Sequence, residues 1–355
     1  MPGLLEHGGR LRSAAARYRI PLERWMDLST GINPQGWPVP PIPPALWNRL
    51  PEDDDGLDEA ARTYYGCPTI RPVAGSQAAI QALPWLRRRG RVAVLHPGYA
   101  EHALAWRRAG HGVTPITAES LRAGLPAVEV LILIHPANPT GVRFERDELL
   151  AWHQALADRG GWLVVDEAFI DATPERSLAL DCPRPGLILL RSIGKFFGLA
   201  GARVGFVLAE PELNDALGTR LGPWTLTGPA RWVTRQALAD QAWQQATRLR
   251  LAQASERLAA LLTRQGLRPT GGCALFQWVE TGHAERIHDR LARRGILTRR
   301  FTAPPSLRFG LPRDEDAWRR LDAALEGAAT GHGDPAEPAG IAAAHHTTSP
   351  GISYS

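Results

Sequence analysis

Lys195 stands in the segment Ser192-Ile-Gly-Lys195-Phe-Phe-Gly-Leu-Ala-Gly-Ala-Arg203, a primary amine in a turn of small residues with a guanidinium eight positions on. An amine that condenses with the aldehyde of a ring cofactor needs backbone that lets the ring approach, a cation for a phosphate, and an acid opposite the ring nitrogen. Asp166, in Leu163-Val-Val-Asp166-Glu-Ala-Phe169, supplies a candidate acid at the end of an apolar run. His135-Pro-Ala-Asn138-Pro-Thr-Gly141 places an amide in a turn just after the apolar residues 130–134. Singly, each has an ordinary explanation: lysines mostly face water, Asn-Pro makes turns, and an aspartate after a strand often caps a helix. Together, and in this order, they read as three loops at strand ends converging on one site.

The elements that must position these loops alternate along the chain. Helical patterns at 56–65, 76–89, 100–109 and 145–159 are interleaved with short apolar runs at 92–95, 130–134, 163–165, 187–190 and 204–208. Apolar strands separated by amphipathic helices predict an α/β fold, a mostly parallel sheet covered on both faces. Ligands in such sheets sit beyond the carboxyl ends of the strands, where Asn138, Asp166 and Lys195 fall. A long helical pattern at 229–264, rich in Gln and Arg, predicts one partly exposed linking helix. A smaller α/β unit follows, with strands at 274–279, 296–299 and 307–310 and helices at 284–294 and 313–325. The expected division is an arm at 1–45, with a helix at 9–18 and a proline-rich run at 38–44, packing on the small domain and active site; a large domain at 46–228; a linking helix and small domain at 229–326; and a disordered tail at 327–355.

The chain carries 41 Lys and Arg against 36 Asp and Glu, a net charge of +5 that suits small anionic substrates. No basic block is interleaved with aromatics, which argues against nucleic acid as a partner. Cys67, Cys182 and Cys273 are scattered and lack metal spacing, so neither a disulfide framework nor a zinc site is expected, and a reducing compartment is. His345-His346 in the tail is read as composition, because two ligands make an incomplete metal site. The first residues lack a signal-peptide layout and no apolar run approaches membrane-spanning length, so a cytoplasmic, soluble protein with no membrane partner is expected.

Asn-Pro-x-Gly, then Asp-Glu-Ala-aromatic, then Ser-x-x-Lys with a following Arg resembles the signature of the aspartate-aminotransferase superfamily, fold type I of the pyridoxal-phosphate enzymes, over roughly residues 5–326. The resemblance implies a large domain with a mostly parallel seven-stranded sheet sandwiched by helices, a smaller α/β domain, and pyridoxal 5′-phosphate as cofactor. Lys195 and Asp166 would be catalytic, Asn138 would bond the ring oxygen, and Tyr99, in His96-Pro-Gly-Tyr99, would stack on the ring. Gly75-Ser76-Gln77 opens a helix after a loop, an arrangement that binds anions, and Ser192 and Arg203 would complete the phosphate cradle. Three positions depart from the family pattern: Gly194 where a hydroxyl often precedes the lysine, Leu50 where a partner subunit often lends a tyrosine, and Phe169 where many members have tyrosine. They shift the expected weight of cofactor binding onto Ser76, Ser192 and Arg203.

Glu6-His7-Gly-Gly-Arg10 with Asp27-Leu-Ser-Thr-Gly-Ile32-Asn33-Pro34 resembles, more narrowly, the L-threonine-O-3-phosphate decarboxylases of cobalamin biosynthesis. That family makes (R)-1-aminopropan-2-yl phosphate. The resemblance implies that His7, and Arg299 in Gly295-Ile-Leu-Thr-Arg299, bind the substrate phosphate, with Ile32 and Asn33 alongside. Arg308, in Ser306-Leu-Arg308-Phe, matches the arginine whose planar fork grips the α-carboxylate. It also implies a homodimer with sites at the subunit boundary. A histidinol-phosphate-like aminotransferase shares nearly all these anchors and is the close alternative. A non-catalytic module of the same fold is the alternative of another class.

Overall fold

The computed structural model describes residues 7–328. The expected disordered tail, apart from its first two residues, and His345-His346 lie outside the described residues. Twelve strands are present among them: β1 (Met26–Leu28), β2 (Ile70–Val73), β3 (Arg91–Leu95), β4 (Gly112–Ile116), β5 (Val130–Ile134), β6 (Trp162–Asp166), β7 (Leu187–Ser192), β8 (Gly205–Leu208), β9 (Gly271–Cys273), β10 (Phe276–Glu280), β11 (Ile296–Thr302) and β12 (Pro305–Gly310). Between them run α1 (Leu11–Tyr18), α2 (Ala45–Asn48), α3 (Leu57–Tyr65), α4 (Ser76–Ala82), α5 (Ala100–Arg108), α6 (Ala118–Ala123), α7 (Arg146–Ala157), α8 (Pro211–Leu221), α9 (Gly228–Ala239), α10 (Gln241–Arg264), α11 (Ala284–Arg293) and α12 (Glu315–Leu325).

The larger sheet has seven strands in the order β2-β8-β7-β6-β5-β3-β4. Only β8 runs against the rest, antiparallel to both β7 and β2. Its central strands read as unbroken apolar runs because both faces are covered. Leu131, Leu133, Leu163, Val165, Leu187 and Leu189 join one apolar cluster, while Val130, Ile132, Val164, Ile188 and Leu190 join the other. Each alternates along its strand, as a two-residue side-chain period requires. Truncating one of these leucines to alanine costs about 2–5 kcal/mol.

The smaller sheet is ordered β1-β11-β12-β10-β9. Its edge comes from the arm: Met26, Asp27 and Leu28 pair in parallel with Ile296, Leu297 and Thr298. The single linking helix expected at 229–264 is instead two, α9 and α10, parted at Asp240. The reason is local. The Asp240 carboxylate accepts from the Trp243 amide at 3.0 Å and from Trp37 Nε1 at 3.0 Å, so the aspartate caps the second helix and ties the joint to the arm. The helical pattern at 76–89 likewise stops at Ala82 and finishes as a 3₁₀ turn, Leu83–Leu86, with Pro84 near its start. Among the described residues no helix is long and apolar enough to cross a membrane.

Candidate active site

The carboxyl ends of β5, β6 and β7 lead into the three loops singled out above. Asp166 ends β6 and is buried; its Oδ1 accepts the Ala168 amide at 3.1 Å and its Oδ2 lies 2.9 Å from Nε2 of the equally buried His102. His102 was not foreseen. It sits on α5, three residues after Tyr99, and its partner is 64 positions away, so nothing local announces it. Holding a carboxylate charged inside a protein takes such a partner.

Lys195 follows β7, itself half-buried among the buried Ile193, Gly194, Phe196 and Phe197, with its Nζ 5.4 Å from the centre of the Phe169 ring. Burial, and after it the charge of Arg308, lowers the ammonium from 10.5 to about 8, with Asp166 opposing and Arg203 adding to the fall. Tyr99 is raised to about 12 by burial, then by the charges of Glu101 and Asp166, with Arg203 opposing. Lysine, aspartate, tyrosine and both arginines therefore share one electrostatic neighbourhood. Gly31 makes room for the Phe169 ring, since a Cβ there would lie 2.8 Å from it.

The expected anion cradle is a place of close backbone approach. Gly75, at φ +71°, precedes α4 with no side chain to cap its first turn, and a Cβ on it would lie 2.7 Å from the Arg203 guanidinium. Gly205 pairs with both Val73 and Ser192, and a Cβ on it would meet the Ser76 amide at 2.5 Å. Thus Gly75, Ser76, Ser192 and Arg203 gather at the top of β2, β7 and β8, the corner where β8 reverses. Ser192 Oγ accepts the Gly194 amide at 3.2 Å. A side chain at Gly194 would crowd Ala200 Cα at 3.1 Å.

Arg308 on β12 is buried against the Phe276 ring; it donates to Asn138 Oδ1, and its Nη2 donates to the Ser29 carbonyl at 2.5 Å. Its Nε has no partner. Arg299 on β11 is its direct cross-strand neighbour. Burial first and then the Arg299 charge lower Arg308 to about 10. Like charges directly opposite in a ladder are destabilising, so this pair concentrates positive charge at one place on the smaller sheet. Arg299, His7, Gly8, Ser29 and Thr298 line one cavity of about 620 Å³ between the arm and the smaller sheet.

The arm residues divide. His7 lies 2.8 Å from Glu101 Oε1 with its ring 5.9 Å from that of Tyr99. Gln77 links the same group, accepting from the Tyr99 hydroxyl at 3.2 Å and donating to Glu101 Oε2 at 3.1 Å. Asn33 is buried with its amide already spent: Nδ2 donates to the Phe196 carbonyl at 2.9 Å, Oδ1 accepts from Gln35, and its backbone amide donates to the Lys195 carbonyl at 3.0 Å. Asn33 thus holds the lysine turn, with half-buried Ile32 next to it.

The family described as Aminotransferase class I and II matches residues 55–323. Threonine-phosphate decarboxylase of Pseudomonas aeruginosa is 59% identical over 91% of this chain and 98% of its own length. Threonine-phosphate decarboxylase of a Sinorhizobium species is 40% identical over 92% and 98%. Among solved structures, histidinol-phosphate aminotransferase from Sinorhizobium meliloti in complex with pyridoxal-5′-phosphate superposes with a TM-score of 0.76 at 20% identity, over 92% of this chain and 99% of that one. That last likeness is one of fold.

Proposed function

The chain belongs to the class I and II aminotransferase family, and from that premise we propose that it decarboxylates L-threonine O-3-phosphate to (R)-1-aminopropan-2-yl phosphate, as a pyridoxal-phosphate enzyme of cobalamin biosynthesis. The observation that carries this reading is the cross-strand pair Arg299 and Arg308, with Arg299 lining the cavity beside His7 and Arg308 buried beside Asn138, because two guanidiniums match a substrate with two anionic ends.

The residues present fit the cofactor. A cradle open only because Gly75 lacks a Cβ lies against Arg203, a buried carboxylate is held by His102, and a lysine lowered to about 8 feels the charges of both Asp166 and Arg203. Gly75, Ser76, Gln77, Ser192 and Arg203 would hold the phosphate, Asn138 the ring oxygen, and Tyr99 one ring face. When bound, pyridoxal 5′-phosphate supplies a ring that accepts the electron pair left as the carboxylate departs.

The protein's own part is placement and proton handling. Lys195, with a fraction of free amine near neutral pH, would be the residue that holds the cofactor and would be placed to carry the proton returned to Cα. Asp166 keeps the ring nitrogen protonated through its charge, and His102 keeps Asp166 in place. Arg308 binds the carboxylate through its fork, including the partnerless Nε, while Arg299 and His7 hold the phosphate. These two grips would set the orientation of the substrate at Cα, and with it which bond is labile.

We propose further that the protein is a cytoplasmic homodimer. Val39, Trp47 and Leu50 are exposed in and just beyond the arm, at 48%, 66% and 65% of their full areas, which supports a second copy seated there. The test of the activity is CO₂ release from threonine phosphate with no keto acid supplied. Stoichiometric CO₂ is expected; amino transfer to 2-oxoglutarate in its place would overturn the decarboxylase in favour of the histidinol-phosphate-like alternative. No cofactor absorption band in the purified protein, or one that survives Lys195→Ala, would favour a non-catalytic module.

A further inference from the structure

His7 reaches the cavity from the arm, yet its Nε2 is already engaged, 2.8 Å from Oε1 of Glu101. Glu101 lies in the first turn of α5, its side chain only 13% exposed, and its other oxygen accepts from Gln77 Nε2 at 3.1 Å and Gln81 Nε2 at 3.4 Å. A buried carboxylate next to a site for a phosphate would repel that ligand unless a proton-bearing group stood between them. His7 stands there. Its backbone side is fixed as well: a Cβ on Gly8 would lie 2.3 Å from the Ser29 carbonyl oxygen, and the Gly9 amide donates to Ser29 Oγ at 2.7 Å. Ser29 is held in turn by Asp27 Oδ1, 2.5 Å from its hydroxyl, and its carbonyl accepts from Arg308.

We infer that Glu101 is a positioning residue for the phosphate of the substrate, acting through His7; the inference rests on the decarboxylase reading above. With Nε2 committed to Glu101, only Nδ1 is left to meet a phosphate oxygen, and it donates only when both ring nitrogens carry protons. With a carboxylate on one side and a phosphate on the other, both hydrogen bonds of the ring are charge-assisted. Glu101 also joins this contact to Gln77 and Tyr99, so the arm is latched to the same residues that frame the cofactor's phosphate and ring face. The latch selects phosphorylated substrates: a ligand without the phosphate gains nothing from His7.

The test compares Glu101→Gln, His7→Asn and the double variant in the cofactor-loaded protein. Glu101→Gln should raise KM for threonine phosphate about ten-fold or more, and weaken inhibition by inorganic phosphate in parallel, while kcat changes about two-fold at most. In the His7→Asn background the same substitution should change KM little, and Glu101→Asp should restore part of the loss. Additive effects of the two substitutions, or a loss confined to kcat, would overturn the inference. Amide hydrogen exchange across residues 7–18 of the ligand-free protein is read separately from activity. Faster exchange in Glu101→Gln supports the latch; unchanged exchange overturns it even if the protein proves not to act on threonine phosphate, an outcome that would sink only the decarboxylase reading.

Discussion

Removing the charge of Asp166 and removing that of Arg308 should move the Lys195 amine in opposite directions. The ammonium is lowered by burial and by the positive Arg308, and raised by the negative Asp166. Asp166→Asn should therefore lower its pKa further, below about 8, and Arg308→Gln should raise it. A charge several ångströms away across a partly hydrated site acts with an effective dielectric well above that of a dry interior, so each shift should be on the order of half to one pH unit. The starting point itself has a consequence. Bringing the amine from 10.5 to about 8 raises its free fraction at pH 7 roughly 300-fold. The assay is the rate at which the cofactor-free protein captures pyridoxal, which lacks the phosphate handle, followed by absorbance from roughly pH 6 to 10. The wild-type rate should rise with a midpoint near 8, with the two variants on either side. Midpoints that move the same way, or a wild-type midpoint near 10.5, would mean that the lysine does not share the field of those two groups.

Three other outcomes follow from the geometry. His102→Ala removes a charge-assisted hydrogen bond from Asp166, so kcat should fall on the order of ten- to a hundred-fold, with partial recovery in His102→Asn; a change within two-fold would reduce His102 to packing. Arg299→Ala should raise KM for the phosphorylated substrate about ten-fold or more and leave cofactor affinity alone; equal loss of both, by spectral titration, would put the residue in the wrong pocket. Arg191 is buried between Glu167, 2.8 Å away, and Asp171, over the Tyr65 ring. Arg191→Met strands two buried carboxylates and should cost about 3–5 kcal/mol in denaturant unfolding; a loss under about 1 kcal/mol would show that water reaches them.

The central strands were legible because unbroken apolar runs such as Val130–Ile134 are what a doubly covered sheet demands. The two edge strands of the larger sheet were not read from the residues, and the number seven came from the resemblance. Ile70–Val73 and Gly112–Ile116 each contain a proline and expose part of their length, which reads as loop although proline is tolerated at an edge. The break at Asp240 escaped notice because helical periodicity continues across it, and only the cap bonds to Trp243 and Trp37 reveal the joint. At the candidate site, the residues that carry a motif are the ones the sequence points to. Those defined by a distant partner, His102 against Asp166 and Glu101 against His7, have no local pattern, since sequence spacing carries no information about contacts 64 and 94 positions apart.

The arm is attached at two places that belong to different sheets. Residues 26–28 are hydrogen-bonded into the edge of the smaller sheet, and a few positions later Asn33 and Trp37 bond the carbonyls of Lys195, Phe196 and Phe197. Four residues separate Leu28 from Asn33, too short a tether to take up slack. Any shift of the smaller sheet is therefore passed directly to the turn that carries Lys195, so the two parts of the molecule are mechanically geared to each other.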